Sequence, residues 1–488
     1  MNLILSEDEL KKLPRPIRKE AVITPKIMHF GPGAFFRSFV VSLIDDVNQK
    51  DLKKWGIIAV SLNSEATFNK LAGQDLIFNA LSMSNTKKQA KKISAISDFL
   101  IAKKEGKAVL DALSDEQIEI VSLTITEKGY HYNSDKKELD FENQNIIEDL
   151  RSPKNPKTAV GFIVAGLRDR YVMGKAPFTI LSCDNLPNNG AVVQKTVLDF
   201  AQKIDSDLAN WISKEVCFPS SMVDRITPAT KELDIINFAN KYGVYDPALV
   251  VHEEFFQWVI EDKFSVGQPQ FELAGIQMVK NVELHEKMKL RCLNGTHSAL
   301  AYLGYLADFK TIAECVSNDI IVNFIQYLWD KEIIPTLETP EDENLNDYCG
   351  KLLERYQNPA IEHRTWQIAM DGSQKLPQRI LETVSDLLKH QRNFQGLALA
   401  IAAWIKYVSG IDLNGEIIDV RDPMANDFAM IARKSKTSED YVDCILDQST
   451  VFPANLKDNS AFRTEILKSY KLLEQYGSLV SIKKLIVL

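Results

Sequence analysis

Short apolar runs alternate with amphipathic stretches along the first half of this 488-residue chain. The runs are rich in β-branched residues and read KIMHFGPG (26–33), WGIIAVSL (55–62), IEIVSLTIT (118–126) and FTILSCD (178–184). Runs of this length and composition fit buried strands of a parallel sheet. Amphipathic segments such as FFRSFVVSLIDDV lie between them, so the pattern predicts an α/β fold, a doubly wound sheet with helices on both faces.

The pattern changes after about residue 280, where long helical periodicities replace the strand signals. Examples are MKLRCLNGTHSALAYLGYLADF, SQKLPQRILETVSDLLKHQ and GLALAIAAWIKYVSG. A chain of this length is also too long for one ordinary hydrophobic core. We therefore predict two domains, an α/β domain over residues 1–280 and a mostly α-helical domain over residues 281–488.

Composition excludes several classes of function. Lys and Arg number 58 against 66 acids, so a net charge of −8 gives no support to nucleic-acid binding. The start, MNLILSEDELKKLPRP, lacks the layout of a signal peptide, and the most apolar stretch, residues 396–405, is too short to cross a bilayer. Six cysteines without a CxxC and seven histidines without an HExxH indicate neither disulfides nor a metal site. We expect a cytoplasmic protein without a membrane partner.

A glycine-containing turn follows the first predicted strand. In HFGPGAFFRSF, Gly31 and Gly33 allow a tight turn into a helix, where backbone N–H groups can bind a dinucleotide pyrophosphate. Phe36 replaces the usual third glycine, so an ordinary strand-to-helix turn stays open as the alternative. After the second strand, Glu65 could accept hydrogen bonds from a ribose and repel a 2′-phosphate, which favours NAD over NADP. The alternative for Glu65 is an exposed loop acid.

Three polar residues interrupt the apolar segment KLRCLNGTHSALAYLGYL (289–306). In an α-helix, His297 would lie about 80° and Asn294 about 140° around the axis from Lys289, on one side. A desolvated lysine loses proton affinity and can act as a general base, while an amide can donate to an alkoxide and an imidazole can bind a hydroxyl. Alternatively, Lys289 reaches solvent and the other two satisfy backbone groups.

Two polar turns follow strand-like runs, TILSCDNLPNNG (179–190) and MVDRITP (222–228). Ligands of such sheets bind at the carboxyl ends of parallel strands, so these turns are candidate binding segments. The alternatives are a plain surface turn for LPNNG and an ion pair between Asp224 and Arg225.

The chain resembles the long-chain polyol dehydrogenases, the family of mannitol 2-dehydrogenase and fructuronate reductase. Segments that carry the resemblance, in family order and over nearly the whole chain, are GPGAFFRSF, VSLTITEKGY, SCDNLPNNG, MVDRITP, EFFQWVIEDKF, MKLRCLNGTHSALAYLGYL and RTWQIAMDGSQKLPQR. The resemblance implies a Rossmann-type, NAD-binding N-terminal domain followed by a mostly α-helical C-terminal domain. It also implies zinc-independent hydride transfer.

The same resemblance implies roles for single residues. Lys289 matches the general base, and Asn185 and Asn294 match the pair that holds the substrate oxygen. His297 matches a ligand of substrate hydroxyls, and Glu286 matches an acid that relays protons to solvent. The further substrate positions are Asp224, Lys375, and Arg364 or Arg379 as partners of a carboxylate, and the cofactor positions are Gly31, Gly33, Phe35, Glu65, Thr126 and Glu127.

The chain also departs from the family pattern. Many relatives have His at the positions of Phe36 and Phe39, Asp at Ala66, and EPF where residues 253–255 read EEF. These departures affect cofactor details more than catalysis. Gln367, where a mannitol enzyme has Arg, favours a fructuronate reductase, whereas CDNLPNNG is nearer the mannitol pattern.

Several substrates therefore stay open. D-mannitol/D-fructose and D-mannonate/D-fructuronate are the main pairs, with tagaturonate/altronate or arabinitol-type specificity as alternatives. Outside this class, the chain could be a catalytically inactive NAD-binding regulator or, more remotely, a helical scaffold protein. The oligomeric state is not visible in the sequence, although members of the family are often monomers.

Overall fold

The computed structural model describes residues 7–83, 88–359 and 362–486 and divides into two compact units, Met1–Glu283 and Leu284–Leu488. We call these the N-terminal and the C-terminal unit. The strands, all in the N-terminal unit, are β1 (Pro25–Phe30), β2 (Gly56–Ser61), β3 (Phe78–Met83), β4 (Lys88–Ile93), β5 (Ile96–Ile101), β6 (Ile120–Leu123), β7 (Tyr132–Asn133), β8 (Glu138–Leu139), β9 (Thr179–Ser182), β10 (Ser221–Asp224), β11 (Val250–Glu253), β12 (Gln257–Glu261) and β13 (Gln277–Val279).

Helices of the N-terminal unit connect these strands. They are α1 (Glu7–Lys12), α2 (Ala34–Ser38), α3 (Val40–Lys50), α4 (Ala66–Leu71), α5 (Ala102–Leu113), α6 (Thr126–Gly129), α7 (Gln144–Arg151), α8 (Ala159–Met173), α9 (Asn189–Ile204), α10 (Ser206–Glu215) and α11 (Glu232–Tyr242), with 3₁₀ turns at Ala72–Gln74 and Phe271–Ala274.

The main sheet is parallel, in the order β5-β2-β1-β6-β9. The strand order reverses between β1 and β6, which is the topological switch point of a Rossmann-type sheet. This arrangement confirms the predicted α/β fold. β5 was not predicted, because Ser97 and Asp98 interrupt its apolar run at the edge of the sheet. The smaller sheets have the orders β10-β12-β13 and β11-β3-β4, and β7 pairs with β8.

The C-terminal unit is largely helical, as predicted. Its helices are α12 (Glu283–Met288), α13 (Thr296–Tyr305), α14 (Ile312–Cys315), α15 (Asp319–Tyr327), α16 (Leu345–Tyr356), α17 (Thr365–Ala369), α18 (Gly372–Leu376), α19 (Glu382–Lys389), α20 (Gln395–Val408), α21 (Ala425–Lys434), α22 (Ser438–Leu446), α23 (Ala454–Lys457) and α24 (Ser460–Ile486), with π-helical turns at Lys289–Gly295, Leu328–Ile333 and Pro377–Leu381 and a 3₁₀ turn at Ile334–Thr336.

The apolar helix α20 lies in the core of this unit. Its residues from Leu397 to Ile405 are all buried, which explains why the most apolar stretch of the sequence is here. Over the described parts of the chain, no helix combines the length and the apolar character that crossing a membrane requires.

The predicted helix at Lys289 is present, but its first seven residues are π-helical rather than α-helical. The α-helical angles expected for Lys289 and Asn294 are therefore wrong. In a π-helix, hydrogen bonds join residues five apart instead of four, so residues five apart lie about one turn from each other. Lys289 and Asn294 are five apart, and the π-helical turn brings them closer to one line along the axis than an α-helix would.

Gly295, the last residue of this turn, lies against the π-helical turn Pro377–Leu381. A Cβ atom added to Gly295 would lie 2.8 Å from the carbonyl oxygen of Arg379. This oxygen belongs to the backbone and cannot rotate away. The missing side chain at Gly295 thus permits the two turns to pack closely.

Glu332 is a buried acid in the same unit. Its carboxylate accepts hydrogen bonds from the backbone N–H groups of Gly396 at 2.7 Å and Leu397 at 2.8 Å, in the first turn of α20. Burial raises the pKa of Glu332 to about 7, against the lowering effect of these hydrogen bonds. The carboxyl group therefore stabilises the start of α20 through these hydrogen bonds. The free-energy cost of burying its charge depends on pH, because only the ionised form carries that charge.

We expect Glu332→Gln to remove a pH dependence of stability. Because the pKa rises on folding from 4.5 to about 7, Glu332 contributes stability that is complete below pH 4.5 and is lost as the pH rises through about 7. Each unit of pKa difference corresponds to about 1.4 kcal/mol, so the stability lost over this pH range is about 3 kcal/mol. Urea unfolding should show the advantage of the wild type over the variant shrinking by about 2–3 kcal/mol between pH 5 and pH 8. A constant difference would contradict this.

Gly295→Ala should destabilise the C-terminal unit by about 1–3 kcal/mol, because the new methyl group would overlap a backbone oxygen. Gly350→Ala is the matched control, since Gly350 is an exposed residue of α16 and an added Cβ would meet no atom within 4 Å. In that control, the free energy of unfolding should rise by about 0.5–1 kcal/mol. Denaturant midpoints of both variants test the pair, and equal midpoints would refute the close packing.

Candidate active site

Gly31 marks the end of β1 at the switch point. Its backbone has φ +94°, and an added Cβ would overlap the Thr124 carbonyl group, so only glycine fits. The Thr124 hydroxyl donates to the carbonyl oxygen of Gly31 at 2.7 Å. The Thr124 oxygen therefore accepts from Nε2 of His29, 2.8 Å away. Nδ1 of the same imidazole accepts from the hydroxyl of Ser122 at 2.8 Å. Burial lowers the pKa of His29 to about 3, so the imidazole is neutral and structural.

The rest of the glycine turn is open on one side. Gly33 is exposed at the start of α2, and the nearest atom to an added Cβ would be the Gly31 carbonyl oxygen at 4.0 Å. Phe36, in place of the third glycine, is buried and stacks on His29 with ring centroids 4.0 Å apart. Aromatic packing thus replaces close backbone packing, and the exposed turn still has room for a pyrophosphate.

The other predicted cofactor residues lie at the same edge of the sheet. Glu65 follows β2, and Thr126 and Glu127 follow β6. Phe35 is half-buried in α2 and stacks on Phe39, with ring centroids 4.9 Å apart. The Glu65 carboxylate is 40% exposed and pairs with Lys104 at 2.5 Å.

Asp184 shapes the turn that carries Thr126. Its carboxylate accepts from the backbone N–H groups of Ile125 at 2.9 Å and Thr126 at 3.0 Å, and from the Tyr130 hydroxyl at 2.7 Å. Burial raises the pKa of Asp184, although the three donors favour the ionised form. Asn185, the predicted oxygen-binding residue, is the next residue along and lies exposed after β9.

The segment LPNNG is more than a surface turn, since Asn189 and Gly190 are buried. The Asn189 amide donates to the carbonyl oxygens of Asp184 at 2.9 Å and Ser221 at 2.8 Å, and its oxygen accepts from the Ser221 N–H at 2.9 Å. An added Cβ on Gly190 would lie 2.7 Å from the Phe218 carbonyl oxygen. Asn189 thereby ties β10, which ends at Asp224, to the turn after β9.

Asp224 is buried at the end of β10. Its neighbour Arg225 donates to the carbonyl oxygens of Phe255 at 3.1 Å and Ser38 at 2.6 Å, and its guanidinium lies over the ring of Phe256 at 5.1 Å. Burial lowers the pKa of Arg225 to about 10. Arg225 therefore fastens the backbone around Asp224 to α2.

The polar residues of the segment 289–306 lie in the C-terminal unit. Lys289 and His297 are each 7% exposed, and Asn294 is half-buried. Glu286 precedes Lys289 in α12. Burial holds the pKa of His297 well below its usual range, and the neighbouring His363 lowers it further. His297 is therefore neutral and can both donate and accept a hydrogen bond.

Two residues beside His297 were missed in the sequence. The ring of Tyr356 lies 4.7 Å from the His297 ring and that of His363 lies 5.0 Å away, edge to face. Burial lowers the pKa of His363 to about 4. Neither residue has a spacing pattern that connects it to the 289–306 segment, since Tyr356 lies in α16 and His363 in the segment before α17.

The two candidate arginines differ sharply. Arg379 donates to the Ser298 hydroxyl at 3.2 Å, its pKa is lowered by burial, and it has no ion pair among residues 7–83, 88–359 and 362–486. Arg364 is 52% exposed and pairs with Glu362 at 3.7 Å. Lys375, four residues before Arg379, donates to the Met370 carbonyl oxygen at 2.6 Å, and burial lowers its pKa.

The C-terminal unit thus contains Lys289, Asn294, His297, Lys375 and Arg379, and Lys375 pairs with Asp371 at 3.8 Å. In the described part of the chain, no three His, Cys, Asp or Glu side chains form a group that could hold a metal ion.

Comparisons with known proteins match both units of the chain. Residues 25–273 match the model of the mannitol dehydrogenase Rossmann domain, and residues 281–474 match that of the mannitol dehydrogenase C-terminal domain. The chain is 40% identical to D-mannonate oxidoreductase of Escherichia coli, over 95% of this chain and 96% of that protein. It is 36% identical to mannitol 2-dehydrogenase of Aspergillus fumigatus, over 98% and 96% of the two chains.

A solved structure is similar over the same extent. The ternary complex of Pseudomonas fluorescens mannitol 2-dehydrogenase with NAD and D-mannitol has a TM-score of 0.83 and 33% identity, over 99% of both chains. The sequence identity of each relative to this chain is far higher than a shared fold alone would produce. The chain belongs to the mannitol dehydrogenase family.

Proposed function

We propose that this protein is an NAD-dependent oxidoreductase that interconverts an aldonate and its keto-uronate, with D-mannonate/D-fructuronate as the first substrate pair. The observation that carries the substrate class is Arg379, a cation without an acidic partner among the described residues. The similarity to a D-mannonate oxidoreductase supports the same class. A cytoplasmic location and a monomeric state stay predictions from the sequence.

The N-terminal unit fits NAD. The open turn at Gly33 offers backbone N–H groups to a pyrophosphate, and the turns with Glu65 and Thr126 follow the strands on either side of β1. When bound, NAD accepts the two electrons and the hydrogen of the alcohol carbon. Glu65 would accept from ribose hydroxyls and disfavour a 2′-phosphate, although its pairing with Lys104 must loosen for that contact.

We assign Lys289 as the general base. In its neutral form, the buried amine takes the proton from the substrate hydroxyl, and Glu286, three residues earlier, passes that proton to solvent. Asn294, about one π-helical turn along, donates to the oxygen that gains negative charge, and Asn185 is the second donor. These roles run in reverse when the ketone is reduced.

His297, Asp224 and Lys375 are assigned to the substrate hydroxyls. The neutral imidazole of His297 can accept from one hydroxyl or donate to another, and the buried carboxylate of Asp224 can accept. A linear sugar has many hydroxyl groups, so several such contacts fix which carbon faces the base.

Arg379 is assigned to the substrate carboxylate. A guanidinium taken out of water without a counter-charge is costly, so an anion that enters its surroundings gains a charge-assisted hydrogen bond and restores neutrality. Lys375 lies four residues away and pairs with Asp371 at 3.8 Å. Arg364, exposed and paired with Glu362, is the weaker candidate.

D-mannitol/D-fructose is the second candidate pair, favoured by the mannitol-type CDNLPNNG segment and by the mannitol-bound relative. Tagaturonate/altronate shares the carboxylate argument, and arabinitol-type specificity does not. Following NADH absorbance with fructuronate, tagaturonate and fructose separates these possibilities directly.

Lys289→Ala should lower kcat at least 100-fold at every pH from 6 to 10, because no other base replaces the amine. Binding of NADH, measured by fluorescence titration, should change less than threefold. Near-normal turnover of this variant would refute the assignment. A wild-type protein that binds NADH but turns over none of the sugars would instead be the inactive regulator.

Arg379→Gln should separate the two substrate classes. We expect kcat/KM for fructuronate to fall about 100-fold, about 3 kcal/mol for a lost charged contact, while kcat/KM for fructose stays within about threefold. Arg433→Gln removes the same charge from the exposed surface of α21 and is the matched control. Equal losses on both substrates would show that Arg379 serves packing rather than carboxylate recognition.

A further inference from the structure

Side chains donate hydrogen bonds to two carbonyl oxygens of the π-helical turn Lys289–Gly295. The Cys292 oxygen accepts from the hydroxyl of Thr296 and from Nε1 of Trp329, the latter at 3.1 Å. The Leu293 oxygen lies 3.2 Å from the Thr296 hydroxyl and 3.3 Å from that of Tyr356. Thr296, Trp329 and Tyr356 are all buried, so water does not compete for these bonds.

Each hydroxyl has one proton, which limits what the network can satisfy. Thr296 donates to Cys292, its nearest acceptor, and Tyr356 donates to Leu293 or to the Thr296 oxygen, 2.9 Å away. In an α-helix, the Thr296 N–H would bond to the Cys292 oxygen, four residues back. Here that N–H bonds to the Leu293 oxygen instead, and the Cys292 oxygen accepts from the Thr296 hydroxyl and from Trp329. These side-chain donors replace the bond that the α-helical register would form and stabilise the π-helical register.

Tyr356 also contacts His297, since the two ring centroids are 4.7 Å apart. One residue of α16 therefore supports both the turn with Lys289 and Asn294 and the imidazole that follows it. An α-helical register would turn Lys289 away from Asn294 and move His297 relative to both.

We propose that Thr296 and Tyr356 are positioning residues, whose hydroxyl groups keep Lys289 and Asn294 in the π-helical register. The inference rests on the proposed function for its kinetic consequence. Neither side chain needs to contact the substrate, because both act through the backbone of the turn.

The first experiment compares two substitutions at one position. Thr296→Val keeps the shape of the side chain and removes the hydroxyl, whereas Thr296→Ser keeps the hydroxyl. We expect Val to lower kcat at least tenfold and to shift the pH profile of kcat, with KM for NADH within twofold. Ser should restore kcat to within threefold of wild type. Wild-type kcat and pH profile in the Val variant would overturn the proposal.

The second experiment guards against misfolding of the Val variant. Tyr356→Phe keeps the ring against His297 and removes only the hydroxyl, and we expect the same direction of change in kcat and pH profile. Tyr441→Phe is the matched control, because this buried tyrosine donates to the Ile405 carbonyl oxygen at 2.9 Å elsewhere in the core. Equal kinetics in the two Phe variants would assign Tyr356 a purely structural role.

A third measurement does not depend on turnover. Acetic anhydride labels amines, and peptide mass spectrometry gives the labelling rate of Lys289 relative to Lys107, whose side chain is 93% exposed. We expect this ratio to change at least threefold in Thr296→Val and Tyr356→Phe but not in Tyr441→Phe. An unchanged ratio overturns the positioning proposal, whereas absent wild-type turnover with a changed ratio overturns only the proposed function.

Discussion

Backbone carbonyl groups in a dry core must find donors, and this requirement governs the π-helical turn at Lys289–Gly295. The Cys292 oxygen accepts from the Thr296 hydroxyl and from Trp329, and the Leu293 oxygen accepts from the Tyr356 hydroxyl in addition to the Thr296 backbone N–H. The same turn ends at Gly295, which packs against the backbone of Arg379. The backbone of the turn that carries Lys289 and that of the turn that carries Arg379 therefore meet at one packing contact.

Backbone packing and hydrogen bonds also fix the loops that follow β1, β6 and β9 in the N-terminal unit. Gly31 can approach Thr124 closely, and a neutral His29 joins the hydroxyls beneath that contact. Asp184 then fixes the next turn through two backbone N–H groups. Buried, uncharged or fully hydrogen-bonded groups thus hold the loops at this edge of the sheet.

Periodicity and composition predicted the parallel strands and the helical second half, because burial on both faces leaves a strong apolar signal. β5 was not predicted because Ser97 and Asp98 interrupt its apolar run. The π-helical turn was not predicted for a different reason. Donors to its carbonyl oxygens, such as Tyr356, are distant in the sequence. Likewise, the choice between Arg364 and Arg379 depends on burial and on nearby acids, which no local pattern of residues records.

Burial, and after it the cationic surroundings, keep the imidazole of His297 neutral. Arg379 and His363 both oppose protonation of His297, but burial opposes it more. A bound carboxylate would neutralise the charge of Arg379 and leave the burial in place, so His297 would stay neutral while the substrate is bound. A carboxylate bound at Arg379 and a neutral imidazole at His297 are therefore compatible.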